Sequence, residues 1–197
     1  GSYLYCGLSR DASKEEILER INNNTITNIL NKIEVKAGDV VMVKAGTIHA
    51  IGAGVFICEI QQNSNCTYRM YDYDRRDKFG NPRELHVKKA LDVVDNHKYI
   101  KDNKTEVVIA RNEHFTEERL VQCKYFEVYK YDVNDEAKIT VDEASFVSVL
   151  FINGSGTIET DDYEKTMEFK AGDSFFVSAG LRSIIIKGQA TMVVTRV

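Results

Sequence analysis

The side chains that could do chemistry gather in one stretch, residues 46–71. His49 lies three positions after Gly46, Glu59 and Gln61 ten and twelve positions after His49, and Tyr68 and Arg69 close the group. A neutral imidazole either ligates a divalent metal or sits bonded to backbone, and the residue alone does not choose between them. Arg69 stays charged, which suits a bound anion or a structural salt bridge. Glu59 is a candidate general base, or a carboxylate that holds a ligand in place. Its structural alternative is a salt bridge to Arg69 or to a lysine. If the segment is a strand, Glu59 and Gln61 share a face, because side chains alternate along it. Gln61, Tyr68 and Tyr71 are candidate pocket-lining residues, although aromatic residues on strands commonly just pack.

The elements that must position these residues read mainly as β. Residues 13–31 are predicted helical: Ser13 with Glu16 forms a capping-box pattern, Ile17, Leu18 and Ile21 share a face, and residues 25–31 form a second short helix after Asn22-Asn23-Asn24. Residues 40–43, 55–57 and 67–73 read as strands, residues 74–82 as a charged loop, and residues 87–94 as one short helix. The polar run 97–104 is the best candidate linker. Strand-like runs follow at 107–109, 125–131, 146–152, 163–169, 174–177, 184–186 and 191–197, with Asn153-Gly154-Ser155-Gly156 and Lys187-Gly188 read as turns between them.

A repeat is written into the chain. Lys36-Ala37-Gly38-Asp39 recurs as Lys170-Ala171-Gly172-Asp173, and nine of the nineteen positions from 36 to 54 are identical at an offset of 134. Chance gives about one match at ordinary residue frequencies. The copy-one spacing Gly38, Gly46, His49 resembles the second motif of the cupin superfamily, with Lys44 where that family usually has proline and Ala53 where it often has asparagine. His49 then begins a strand, from which it could point into a barrel. In copy two the histidine position is Ser183, whose hydroxyl cannot replace imidazole on zinc. Copy two is accordingly expected to be a structural or interface domain without metal ligands.

The strings Gly46-Thr47-Ile48-His49-Ala50-Ile51-Gly52, Glu59-Ile60-Gln61-Gln62-Asn63-Ser64 and Thr67-Tyr68-Arg69, followed by Arg83-Glu84-Leu85-His86, are distinctive. They resemble type I mannose-6-phosphate isomerase, in its bacterial short form, densely over residues 36–92. The resemblance implies two cupin-like (jelly-roll) β-barrel units: an incomplete first, catalytic cupin domain over residues 1–100 with a short helical insertion, and a second cupin-like domain over 101–197. It implies interconversion of mannose 6-phosphate and fructose 6-phosphate through a cis-enediol, with one zinc held by Gln, His, Glu and His. The last of these ligands matches His49. No Q-x-H occurs in this sequence and no glutamate precedes Glu15, so the chain is expected to be an inactive fragment, with zinc absent or weakly bound. Arg69 matches the family's active-site arginine, for the substrate phosphate or the enediolate. Glu59 precedes it at the family's spacing. Arg83, Glu84 and His86 are read as fixing a loop and a helix start, and His97 and His114 as exposed. The alternative is a metal-free cupin-like module that binds or senses sugar phosphates.

Composition narrows the partners. Lys and Arg total 26 against 30 Asp and Glu, and a net charge of −4 argues against nucleic acid. No apolar run approaches the roughly 18–20 residues of a membrane span. The four cysteines form no C-x-x-C pair. Cys58, within an apolar run, reads as a buried reduced thiol, which suits a cytoplasmic protein. The start Gly1-Ser2-Tyr3 reads as a cut end. Strands missing from the first barrel would expose a sheet edge through which the chain could self-associate.

Overall fold

The computed structural model describes residues 1–64, 66–101, 107–160 and 166–197. The chain is mainly β and divides into two compact units, Gly1–Lys101 and Asp102–Val197. Among the described residues no helix is long and apolar enough to cross a membrane.

In the first unit, β1 (Tyr3–Leu8) leads to α1 (Lys14–Asn22), a 3-10 turn (Ile26–Ile29), β2 (Leu30–Glu34), β3 (His49–Ile51) and α2 (Val87–Val93). The Ser13 hydroxyl accepts the Glu16 N–H at 3.1 Å, and the Glu16 carboxylate accepts from Arg10 and Arg20, so the start of α1 is capped and its first turn clamped. Ile17 and Ile21 of α1 pack with Leu8, Ile26, Ile29 and Met70 in the unit's core. β1 is the central strand of a three-stranded antiparallel sheet, in the order β2-β1-β3.

Several expectations for this unit need correction. The second short helix expected over 25–31 is shorter than expected, a single 3-10 turn at Ile26–Ile29 that passes directly into β2. Residues 40–43, 55–57 and 67–73 are not strands. Strands need ladder partners. The copy-two equivalent of 40–43 becomes a strand because Val147–Leu150 pairs with it, whereas residues 40–43 pair with no described strand. Phe56 is 96% exposed and Cys58 is exposed, not buried, because no neighbour covers this irregular run. The boundary between the two units, after Lys101, falls within the expected linker 97–104, but the start of that run is tied to the first unit. The Ala12 N–H donates to the Asn96 carbonyl, the Lys98 N–H to Asp11 Oδ1, and the Tyr99 N–H to the Leu8 carbonyl. The remainder of the expected linker lies partly outside the described residues.

The second unit comprises β4 (Val107–Arg111), β5 (Phe115–Gln122), β6 (Glu127–Val133), β7 (Glu136–Val141), β8 (Val147–Thr160), β9 (Met167–Lys170), β10 (Ser174–Val177) and β11 (Arg182–Arg196). All pairs are antiparallel, in the path β10-β8-β11-β6-β5-β4, with β7 added on β11 and β9 on β8. The expected strand at 163–169 lies partly outside the described residues. Gly154, Gly156 and Gly188 do not make turns between strands. They sit inside two long strands, β8 and β11, with Gly156 opposite Gly188. A Cβ on Gly156 would meet the Lys187 carbonyl oxygen, so these glycines allow close approach of two backbones. The inner face is filled by Phe151, Ile158, Phe169, Ile186 and Met192, with the Phe151 and Phe169 rings stacked at 3.7 Å.

Candidate functional site

Each copy of the repeat opens with the same turn. The Lys36 N–H donates to Asp39 Oδ2 at 3.0 Å with Gly38 at φ 91°; the Lys170 N–H donates to Asp173 Oδ2 at 2.9 Å with Gly172 also at φ 91°. Gly46, at φ 82°, then brings the chain against the end of α2, where a Cβ would lie 2.7 Å from the Val93 carbonyl oxygen. Neither constraint tolerates a side chain. The Asp95 N–H donates to the Gly46 carbonyl and so fixes this corner. Three residues later His49 starts β3, opposite Cys6 of β1.

The His49 ring does not sit enclosed in a barrel; it is exposed. Its Nδ1 lies 3.0 Å from the Thr47 carbonyl oxygen. A carbonyl only accepts, so Nδ1 carries the hydrogen and, in the neutral ring, Nε2 keeps its lone pair. A backbone carbonyl on one ring nitrogen is the usual outer partner of a metal-ligating histidine, because it fixes the tautomer and orients the ring. At the matching position of the second unit, Ser183 is 1% exposed, on β11 opposite Thr140 of β7.

Arg69 is half-buried and held by its backbone. Its N–H donates to His86 Nδ1 at 3.3 Å, its carbonyl accepts the His86 N–H at 2.6 Å, and its Nη1 donates to the Glu84 carbonyl at 3.4 Å. His86 is also the residue before α2, and its carbonyl accepts the Ala90 N–H. This two-point clamp on Arg69 was not visible in the sequence, since it joins residues 17 apart through a segment without regular structure. Nearby, Asp72 is 6% exposed between Arg75, 2.5 Å away, and Arg83, whose Nε lies 3.1 Å from Oδ2 at an ion-pair distance without hydrogen-bond geometry. The stretch 72–78 is therefore not simply a solvated loop: one of its carboxylates is an internal anchor.

Glu59 and Gln61 are exposed on irregular chain and do not share a strand face. Glu59 makes no ion pair with any described residue, so the structural alternative for it finds no partner. Tyr68 is exposed, its ring 6.3 Å from that of His86, and the Cys66 thiol beside its hydroxyl raises its pKa. Tyr71 packs on the helical core. No hydrogen bond or ion pair among the described residues joins His49, Glu59 or Gln61 to Arg69.

Comparison with known proteins decides the family. The profile described as "Mannose-6-phosphate isomerase, cupin domain" matches residues 116–197. YvyI of Bacillus subtilis (strain 168), whose name assigns it provisionally as a mannose-6-phosphate isomerase, is 41% identical over 190 residues, covering 94% of this chain and 57% of YvyI. The mannose-6-phosphate isomerase ManA of the same organism is 33% identical over 193 residues, covering 93% of this chain and 56% of ManA. The crystal structure of the mannose 6-phosphate isomerase from Bacillus subtilis matches 100% of this chain and 61% of its own, with TM-score 0.90 and 36% identity. This chain belongs to the mannose-6-phosphate isomerase family. Its fold is cupin-like, as the spacing of Gly38, Gly46 and His49 implied.

The isomerase-family chain spans a little over half the length of these two curated relatives. Its own donor set does not complete a metal site: among the described residues no group of three or more His, Cys, Asp or Glu side chains is placed to hold an ion. A catalytic zinc normally uses three protein ligands. His49 offers one.

Proposed function

We propose that this chain works as part of a mannose-6-phosphate isomerase that interconverts mannose 6-phosphate and fructose 6-phosphate, moving a proton between C2 and C1 through a cis-enediol. The observation that carries the reading is the exposed His49 ring at the start of β3, with Nδ1 committed to Thr47 and Nε2 open. His49 is one ligand to a metal, zinc in the family resemblance, whose other ligands come from outside the described donor set. Alone, the chain is inactive. Arg69 is anchored through its backbone, and its planar guanidinium suits the substrate phosphate or enediolate charge. Glu59, which makes no ion pair with a described residue, is available as a general base. Gln61 and Tyr68 complete the substrate side of the site. The packed inner face of the second unit suits a structural role, not a second metal site. The cysteines, none of them paired among the described residues, fit a reducing cytoplasm.

The incomplete donor set also supports a second reading, a metal-free module that binds sugar phosphates. Zinc content and isomerisation of mannose 6-phosphate separate the two. Both are measured on the chain alone and on the chain joined behind the N-terminal part of ManA. Turnover with one zinc in the joined protein and none in the chain alone is expected. Activity in neither overturns the isomerase reading, and activity in the chain alone overturns its dependence on further ligands.

A further inference from the structure

Arg69 sits on chain that no strand ladder holds, so the place of its guanidinium depends on whatever else takes its backbone hydrogen bonds. Among the described residues both of its backbone polar groups go to one residue. The Arg69 N–H donates to His86 Nδ1 at 3.3 Å, and the Arg69 carbonyl accepts the His86 N–H at 2.6 Å. The guanidinium adds a third link, from Nη1 to the Glu84 carbonyl at 3.4 Å. Three residues on, Arg83 Nε lies 3.1 Å from Oδ2 of the buried Asp72. Residues 69–72 and 83–86 therefore run side by side, 69 facing 86 and 72 facing 83, and Arg76 bridges to Pro82 beyond them.

His86 is fixed from its other side. Its carbonyl accepts the Ala90 N–H of α2, and Ala90 packs in the first unit's core with Met70, the residue after Arg69. A backbone N–H only donates, so Nδ1 of His86 offers its lone pair and the neutral ring carries its hydrogen on Nε2. Glu84 Oε1 lies 3.8 Å from that nitrogen. This is the opposite tautomer from His49, whose Nδ1 carries the hydrogen. With Nδ1 engaged and Nε2 protonated, the His86 ring has no lone pair left for a metal, and its chemistry is spent on Arg69.

We infer that His86 is a positioning residue of the proposed isomerase site: its Nδ1 lone pair holds the Arg69 backbone and thereby aims the Arg69 guanidinium at the sugar phosphate. The inference rests on the role given to Arg69 above. What position 86 then needs is an acceptor at the place of Nδ1, not an imidazole as such. Asparagine puts its side-chain oxygen there. Glutamine, one carbon longer, carries its amide out to the place of Nε2, and alanine supplies no acceptor.

The test uses the chain joined behind the N-terminal part of ManA, with mannose 6-phosphate as substrate, and the ¹⁵N-labelled chain alone. In the joined protein His86→Ala and His86→Gln should each lower kcat/KM about tenfold or more at unchanged zinc content, since displacing a positioned group by about 1 Å can cost about a hundredfold. His86→Asn should recover most of that loss. In an Arg69→Gln background the same two substitutions should cost less than about twofold, because residues that act as one unit are not additive. Losses that multiply in the double variants, or an asparagine variant as slow as the alanine one, overturn the positioning role. Two-bond ¹H–¹⁵N spectra of the chain alone, in mildly alkaline buffer, should show His86 with its hydrogen on Nε2. A hydrogen on Nδ1 overturns the inference whatever the turnover, and this measurement decides if the alanine variant does not fold. No turnover by the unmodified joined protein overturns the isomerase reading itself, and the role of His86 with it.

Discussion

Replacing Phe151 by alanine asks whether the second unit's inner face is a solid core or room for a ligand. Phe151 is fully buried on β8, stacked on Phe169 at 3.7 Å and edge-on to Phe175 at 5.9 Å. Truncating a core phenylalanine costs about 3–5 kcal/mol, from lost transfer energy and the cavity left behind. The two aromatic pairs, each worth about 0.5–1.5 kcal/mol, place this site in the upper part of that range. For a unit of about a hundred residues, each kcal/mol lowers Tm by about 4–8 °C. The variant should therefore melt at least about 12 °C lower. Near-ultraviolet circular dichroism is the suitable probe, since the chain has ten tyrosines and no tryptophan. A fall of less than about 4 °C would refute the reasoning, because it would mean that the face already holds space for a ligand and that copy two is not a filled, structural barrel.

Two further outcomes follow from the same unit. Gly156→Ala places a Cβ 2.0 Å from the Lys187 carbonyl oxygen and 2.9 Å from the Phe169 ring, so β8 and β11 must separate; a loss of at least about 2 kcal/mol is expected in chemical denaturation, and an unchanged midpoint would contradict the close crossing. The His114 ring nitrogen Nδ1 lies 2.9 Å from Asp135, whose carboxylate raises the imidazole pKa above 6.5. A raised pKa means that this pair stabilises the fold below pH 6.5 and loses that effect as pH rises through the folded-state value. His114→Gln should accordingly flatten the decline in Tm above pH 6.5, and identical pH profiles for the two proteins would count against the pair.

Local signals in the sequence were readable where a single turn decides the outcome. Ser13 with Glu16 announced α1, Val87 with Leu91 announced α2, and the two Lys-Ala-Gly-Asp turns fold alike. Misreadings arose where distant chain decides. Residues 40–43 carry the apolar pattern of a strand but lack the pairing that Val147–Leu150 gives to β10. Gly156 and Gly188 looked like turn residues because glycine serves both tight turns and close backbone crossings, and only the register shows which. The alternating charges of 72–78 hid a buried Asp72 between two arginines. In the candidate site, the Gly46-to-His49 spacing correctly put the histidine at a strand start. Its exposure, the irregular chain under Glu59 and Gln61, and the His86 clamp on Arg69 all depend on contacts across the fold.

The most direct test of the account is zinc retention by the chain joined behind the N-terminal part of ManA, compared with the same protein carrying His49→Ala. If the open Nε2 of His49 is a metal ligand, the unmodified protein holds one zinc per chain through gel filtration and turns over mannose 6-phosphate, and the variant loses zinc and turnover together. A His49→Ala protein that keeps its zinc at full occupancy would contradict the ligand role and the functional reading built on it.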